Sequence, residues 1–147
     1  MTLTRALATY VKNIEFSSIP TEVIGHAKLC LLDWLGCAMA GSPERPAKIA
    51  KELITSMGGI NESTVVGTAI RTSSPYAALV NGILGHCMEL DDIQEESVIH
   101  PAAAVMPSAL AICEKESLSG ADLLTSIVQG YEAEILAMQA IPYTWQK

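Results

Sequence analysis

No lysine or arginine occurs between Arg71 and Lys115, and the charges that do occur there are confined to its middle and its end. Two runs of seventeen residues without Lys, Arg, Asp or Glu, Thr72 to Met88 and Ser97 to Cys113, flank a segment holding five carboxylates: Glu89, Asp91, Asp92, Glu95 and Glu96. Both fall short of the ~20 apolar residues of a spanning helix, and Pro75, Asn81, His86, His100, Pro101 and Pro107 interrupt them. The pattern is read as a polar knot between two apolar helices, a place where a pocket is expected.

The rest of the composition fits a buried helical chain. Half of the 147 residues are hydrophobic, 17% are charged and the mean hydropathy is +0.31, which excludes disorder. So apolar a surface on so small a domain predicts that part of it is hidden against something else, a second copy or a complementary segment. Nine basic against sixteen acidic residues give a net charge of −7, which excludes a nucleic-acid coat or an anionic-membrane binder. Arg5, Lys12 and Glu15 break the only apolar stretch of the first twenty residues, so no secretory core is expected and a cytoplasmic location is. Cys30, Cys37, Cys87 and Cys113 form no CxxC pair or zinc-type cluster and are expected to be free thiols.

Nineteen alanines and apolar residues at three- and four-residue spacing predict six helices in one mostly antiparallel assembly. They are expected at about 3–15, from Pro20 to about Gly41, 46–57 with a stop at Gly58-Gly59, from Ser73 or Ser74 through Leu84, 101–115, and from Ser119 to about Ala140. Pro107 is expected to kink the fifth helix or delay its start. The small residues from Gly36 to Gly41 would let another helix approach closely. Ser63-Thr64-Val65-Val66 is expected to be a short extended piece, too isolated for a sheet. An irregular segment should run from about Leu90 to His100.

The polar knot, bracketed by His86 and His100, carries the candidate chemistry. Crowded carboxylates raise one another's pKa and push a nearby imidazole toward its charged form, a combination suited to proton transfer. Each residue also has a plain structural reading. Asp91, Asp92, Glu95 and Glu96 would serve as solvated loop residues or caps, and His86 as a core histidine bonded to a carbonyl. His100, held extended by Pro101, would sit at a helix entrance where its ring can face a bound anion. A metal site from His86, Asp91, Asp92 and His100 lacks a recognised ligand spacing.

Asn81-Gly82, His86-Cys87-Met88-Glu89-Leu90-Asp91-Asp92, His100-Pro101 and Gly130-Tyr131-Glu132, with Asp33-Trp34-Leu35-Gly36-Cys37 and Val66-Gly67-Thr68 upstream, resemble the N-terminal signature of the MmgE/PrpD family. That family includes 2-methylcitrate dehydratase, cis-aconitate decarboxylase and iminodisuccinate epimerase. The resemblance implies an all-α chain, a helical bundle like the N-terminal part of the family's helical domain over residues 1–147, without the α+β lid. It also implies a dimer and a cofactor-independent, dehydratase-type lyase that moves a proton next to a carboxylate of a small di- or tricarboxylate such as 2-methylcitrate.

Carried over residue by residue, the resemblance assigns His100 and Asp92 to catalysis and Glu89, Asp91 and His86 to substrate binding, with no metal and no cofactor. Ile93 stands where several members have threonine, so a hydroxyl that could touch substrate is missing. Family enzymes continue well beyond residue 147, which makes this chain an expected N-terminal portion needing further chain for its lid and cations. Two other readings compete: an inactive helical fragment or dimerisation module, and an acidic metal-binding protein.

Overall fold

The computed structural model describes residues 2–96 and 98–140, so the expected ending from Ile141 to Lys147 lies outside the described residues. Six α-helices stand where the periodicity places them: α1 (Leu3–Lys12), α2 (Thr21–Gly41), α3 (Arg45–Met57), α4 (Ser74–His86), α5 (Pro101–Lys115) and α6 (Gly120–Gln139). The ends follow local chemistry. Ser119 and Asp122 form the expected capping box on α6, and Gly58, at φ 70°, ends α3 in a conformation that favours glycine. At α4 the expected serine cap is replaced: the Ser73 hydroxyl makes no capping bond, and the Glu62 carboxylate accepts the Ser74 N–H at 3.0 Å.

Two expectations are corrected. The extended piece at Ser63–Thr64 (β1) finds a partner in Arg71–Thr72 (β2), making a two-stranded antiparallel ribbon with Ser63 opposite Thr72. It survives because side chains tie it to both central helices. Buried Asn81 of α4 accepts from Val66 N–H and donates to the Thr64 carbonyl, both at 2.9 Å, while Glu114 of α5 accepts from Thr64 N–H and hydroxyl. The second correction concerns Pro107, whose expected delay of the α5 start does not occur: the helix begins at Pro101 and runs on through residue 107. Lacking an N–H, it leaves the Ala103 carbonyl without its helical donor, and α4 approaches that point closely at Gly82.

Helix α4 is the centre of the packing, lying against α2, α3 and α5, while α6 packs on α5, α1 and α2. One core joins Ala38, Ala47, Ala50, Ile54, Val65, Val80 and Leu84; the other joins Ala27, Trp34, Ala102, Met106, Leu124 and Ile127. Glycines set how closely α2 and α4 approach. A methyl at Gly41 would collide with the Leu84 carbonyl, and one at Gly85 with the buried Trp34 indole nitrogen. The expected small-residue contact is thus made at Gly41, whereas Gly36 faces open space.

Of the described helices, α2 is long and apolar enough to cross a membrane by length and composition, although it carries Glu22, Lys28 and Asp33. Its buried residues Trp34, Cys37, Ala38 and Gly41 are used as a core face. Leu29, Leu32 and Met39 remain exposed on the same helix.

Close packing at α2 and α4 has a measurable signature. Gly85→Ala should destabilise the protein by about 1–3 kcal/mol in urea unfolding, because the added methyl overpacks the indole. Gly25→Ala, in open space on α2, should be neutral or stabilising by up to about 1 kcal/mol. Equal effects at the two positions would contradict the contact.

Candidate active site

The polar knot folds back on the end of α4. Helix α4 stops at His86, and Glu89 takes the left-handed region at φ 51°, its N–H donating to the His86 carbonyl at 2.8 Å. This turn brings Asp91 back against the helix it has just left. Beyond it, paired backbone bonds between Gln94 and Ile99 close the loop, and His100 stands at the N-cap position of α5 with φ −110° and ψ 81°, short of the extended backbone expected before Pro101 and without a side-chain capping bond.

Asp91 lies between two histidines. The His86 Nδ1 is 3.0 Å from Asp91 Oδ1 and 3.2 Å from Oδ2, and the His100 Nδ1 is 3.6 Å from the same Oδ1. The rings meet edge to face with centroids 4.9 Å apart. The Asp91 side chain is fully buried, while those of His86 and His100 are 44% and 33% exposed, so the carboxylate is sealed and the imidazoles reach solvent. A buried carboxylate facing Nδ1 favours the tautomer with the proton there and frees Nε2 to exchange protons with another molecule. His100 Nδ1 is buried without a hydrogen bond in this geometry, close enough for ionic attraction but beyond bonding reach.

The neighbouring carboxylate does different work. Asp92 Oδ1 accepts the Ala102 N–H at 3.0 Å, and Oδ2 accepts the Tyr131 hydroxyl at 2.6 Å. The anion at the start of α5 is therefore Asp92 itself, where an external anion had been expected to face His100. Burial, then the bond to Asp92, pushes the Tyr131 phenol above its ordinary value of 10. Glu134 is pushed up by burial and by Asp92, and the Cys30 thiol by burial, Asp92 and Asp33. Tyr131 and Cys30 both line a small apolar crevice between α2 and α6.

Of the residues singled out in the sequence, His86, Asp91 and His100 come together, and Asp92 stands beside them with both oxygens engaged. Glu89 does not join them: its side chain is exposed at the turn. Glu95 is exposed, Glu96 accepts from Gln139 at 3.2 Å, and Ile93 is exposed. Sequence reasoning missed the carboxyl of Glu134 and the role of Tyr131. Their three-residue spacing on one face of α6 was the available signal.

The Tyr131 to Asp92 bond has a pH signature. A phenol whose pKa is raised by folding contributes stability below about pH 10 and loses it as pH rises through the folded value. Urea midpoints should fall above about pH 10, and Tyr131→Phe should blunt that fall while costing about 1–3 kcal/mol at neutral pH through the unpaired Asp92 oxygen. Parallel alkaline limbs for the two proteins would contradict this coupling.

Comparison with known proteins agrees with these observations. The profile of the MmgE/PrpD N-terminal domain matches residues 5–147. A cis-aconitate decarboxylase-like protein of Aspergillus oryzae is 30% identical over 137 residues, covering 88% of this chain and 28% of its own length. The human cis-aconitate decarboxylase is 31% identical over 137 residues, 90% of this chain and 28% of its own. That of Aspergillus terreus is 25% identical over 136 residues, 89% of this chain and 28% of its own. The chain thus spans little more than a quarter of these relatives, and the matched domain, reached from both the helical architecture and the residues of the knot, assigns it to the MmgE/PrpD family.

Proposed function

We propose that this chain is the N-terminal part of a lyase acting on a small di- or tricarboxylate, with His100 exchanging the proton. The observation that carries the reading is the placement of His100 beside a fully buried Asp91, with the ring itself open to solvent. The names of the relatives favour decarboxylation of an acid of the cis-aconitate kind over dehydration of 2-methylcitrate. Losing CO₂ leaves an electron pair on carbon that has to be protonated, and a protonated imidazole reaching solvent is suited to deliver that proton. Asp91 orients the ring, and Asp92 is a positioning residue, because both of its oxygens already accept hydrogen bonds. His86 and Glu89 remain the candidates for substrate contact.

Electrostatics sets what else the reaction needs. A polycarboxylate loses its hydration on binding and requires cations in exchange, yet none lies between Arg71 and Lys115. Further chain or another subunit has to supply them, and the exposed Leu29, Leu32 and Met39 of α2 are suited to hold such an addition. Light scattering should then show association beyond the monomer, and a well-behaved monomer would count against that part of the reading. Four free thiols among the described residues accord with a cytoplasmic enzyme, and the acidic charge with one that binds neither nucleic acid nor membranes.

The test is turnover. With cis-aconitate and with 2-methylcitrate, the chain should be active only when mixed with a polypeptide carrying the remainder of a family enzyme. His100→Asn in that mixture should lower kcat by roughly 10²–10⁴-fold. A mixture that turns over either substrate at an unchanged rate with His100→Asn would overturn the assignment. A mixture with no turnover at all would favour the inactive-module reading.

A further inference from the structure

We propose that His86, Asp91 and His100 form a three-ligand site for a divalent transition ion of the zinc class. Their donor atoms all lie within 4.8 Å of one another, and the two Nδ1 atoms are 3.0 and 3.6 Å from one oxygen of Asp91. Bonds of about 2.0–2.1 Å in tetrahedral geometry place ligand atoms about 3.3 Å apart, between those two distances. Seating an ion would therefore require the side chains to close whichever separation exceeds that spacing, none of the three being longer than 4.8 Å. Two imidazoles and a carboxylate, with a fourth position left to water or an external ligand, make a zinc donor set, whereas calcium and magnesium prefer oxygen throughout.

The surroundings favour the same cargo. Five carboxylates within residues 89–96 and no Lys or Arg from residue 72 to 114 make the local field attractive to cations. Asp91 is fully buried and needs a counter-charge, and the His100 Nδ1 is buried with no hydrogen-bond partner. The partly exposed imidazoles leave a path from solvent. Asp92 is committed to Ala102 and Tyr131, so the protein offers three ligands and the fourth position stays open.

Occupancy has a consequence that rests on the proton-transfer reading above. An ion on Nδ1 of His100 fixes the ring's proton on Nε2, which then has no lone pair with which to accept another. Zinc would act as a blocking ligand of the site.

Calorimetric titration of Zn²⁺ into the intact chain tests the binding directly. One ion per chain is expected, with affinity lowered on the order of tenfold or more by His86→Ala and by Asp91→Asn. His86→Ala is the safer variant, because that side chain is nearly half exposed. Co²⁺ should give the visible bands of a four-coordinate ion without thiolate charge transfer. No saturable binding, affinity unchanged in both variants, or a thiolate band would overturn the proposal. Failure to bind zinc leaves the turnover test of His100 untouched, and an unchanged rate with His100→Asn leaves the zinc titration standing.

Discussion

Everything at the candidate site depends on the Asp92 carboxylate being bonded from two sides. One oxygen takes the Ala102 N–H at the start of α5 and the other the Tyr131 hydroxyl of α6, so a single loop residue fixes the loop to two helices. Charge-assisted bonds of this kind are stronger than neutral ones, and a carboxylate is favoured at a helix N-terminus. With Asp92 held, its neighbour Asp91 is turned into the protein against the two histidines. Consecutive aspartates thus divide the work: one anchors the backbone and the other orients imidazoles.

That arrangement needs a firm floor, which the close contact of α2 with α4 provides. Gly85 of α4 admits the Trp34 indole of α2 one residue before His86, and Gly41 of α2 admits the Leu84 carbonyl and Cys87 in return. The last turn of α4, from which His86 projects, is therefore clamped by packing. Asn81 extends the clamp to the small ribbon, which Glu114 fixes in turn to α5. The ribbon thus ties the middle of α4 to the last turn of α5, while the end of α4 and the start of α5 carry the polar cluster.

Much of this was legible because burial leaves strong marks in sequence. The uncharged runs forecast α4 and α5, Ser119 and Asp122 forecast the start of α6, and Gly58 forecast the end of α3. Proximity of His86, Asp91 and His100 was legible as well, since a short loop between two packed helices has to return near its origin. Long-range pairings were not. Nothing local in Ser63–Thr64 announces that Arg71–Thr72 will pair with it, or that Asn81 and Glu114 will supply its missing bonds. Pro107 does not delay α5, which already begins at Pro101, itself a favourable first-turn residue. Local charge density cannot tell which of several acids turns inward: Glu89 resembles Asp91 in sequence yet faces solvent.

The central claim is that Asp91 sets the protonation geometry of His100. Long-range ¹H–¹⁵N correlation spectra of the imidazoles in ion-free protein report directly which ring nitrogen carries the proton. The account predicts that neutral His100 holds its proton on Nδ1, facing Asp91, with Nε2 unprotonated, and that Asp91→Asn shifts this balance toward Nε2. A His100 ring protonated mainly on Nε2, with a spectrum unchanged by Asp91→Asn, would contradict it.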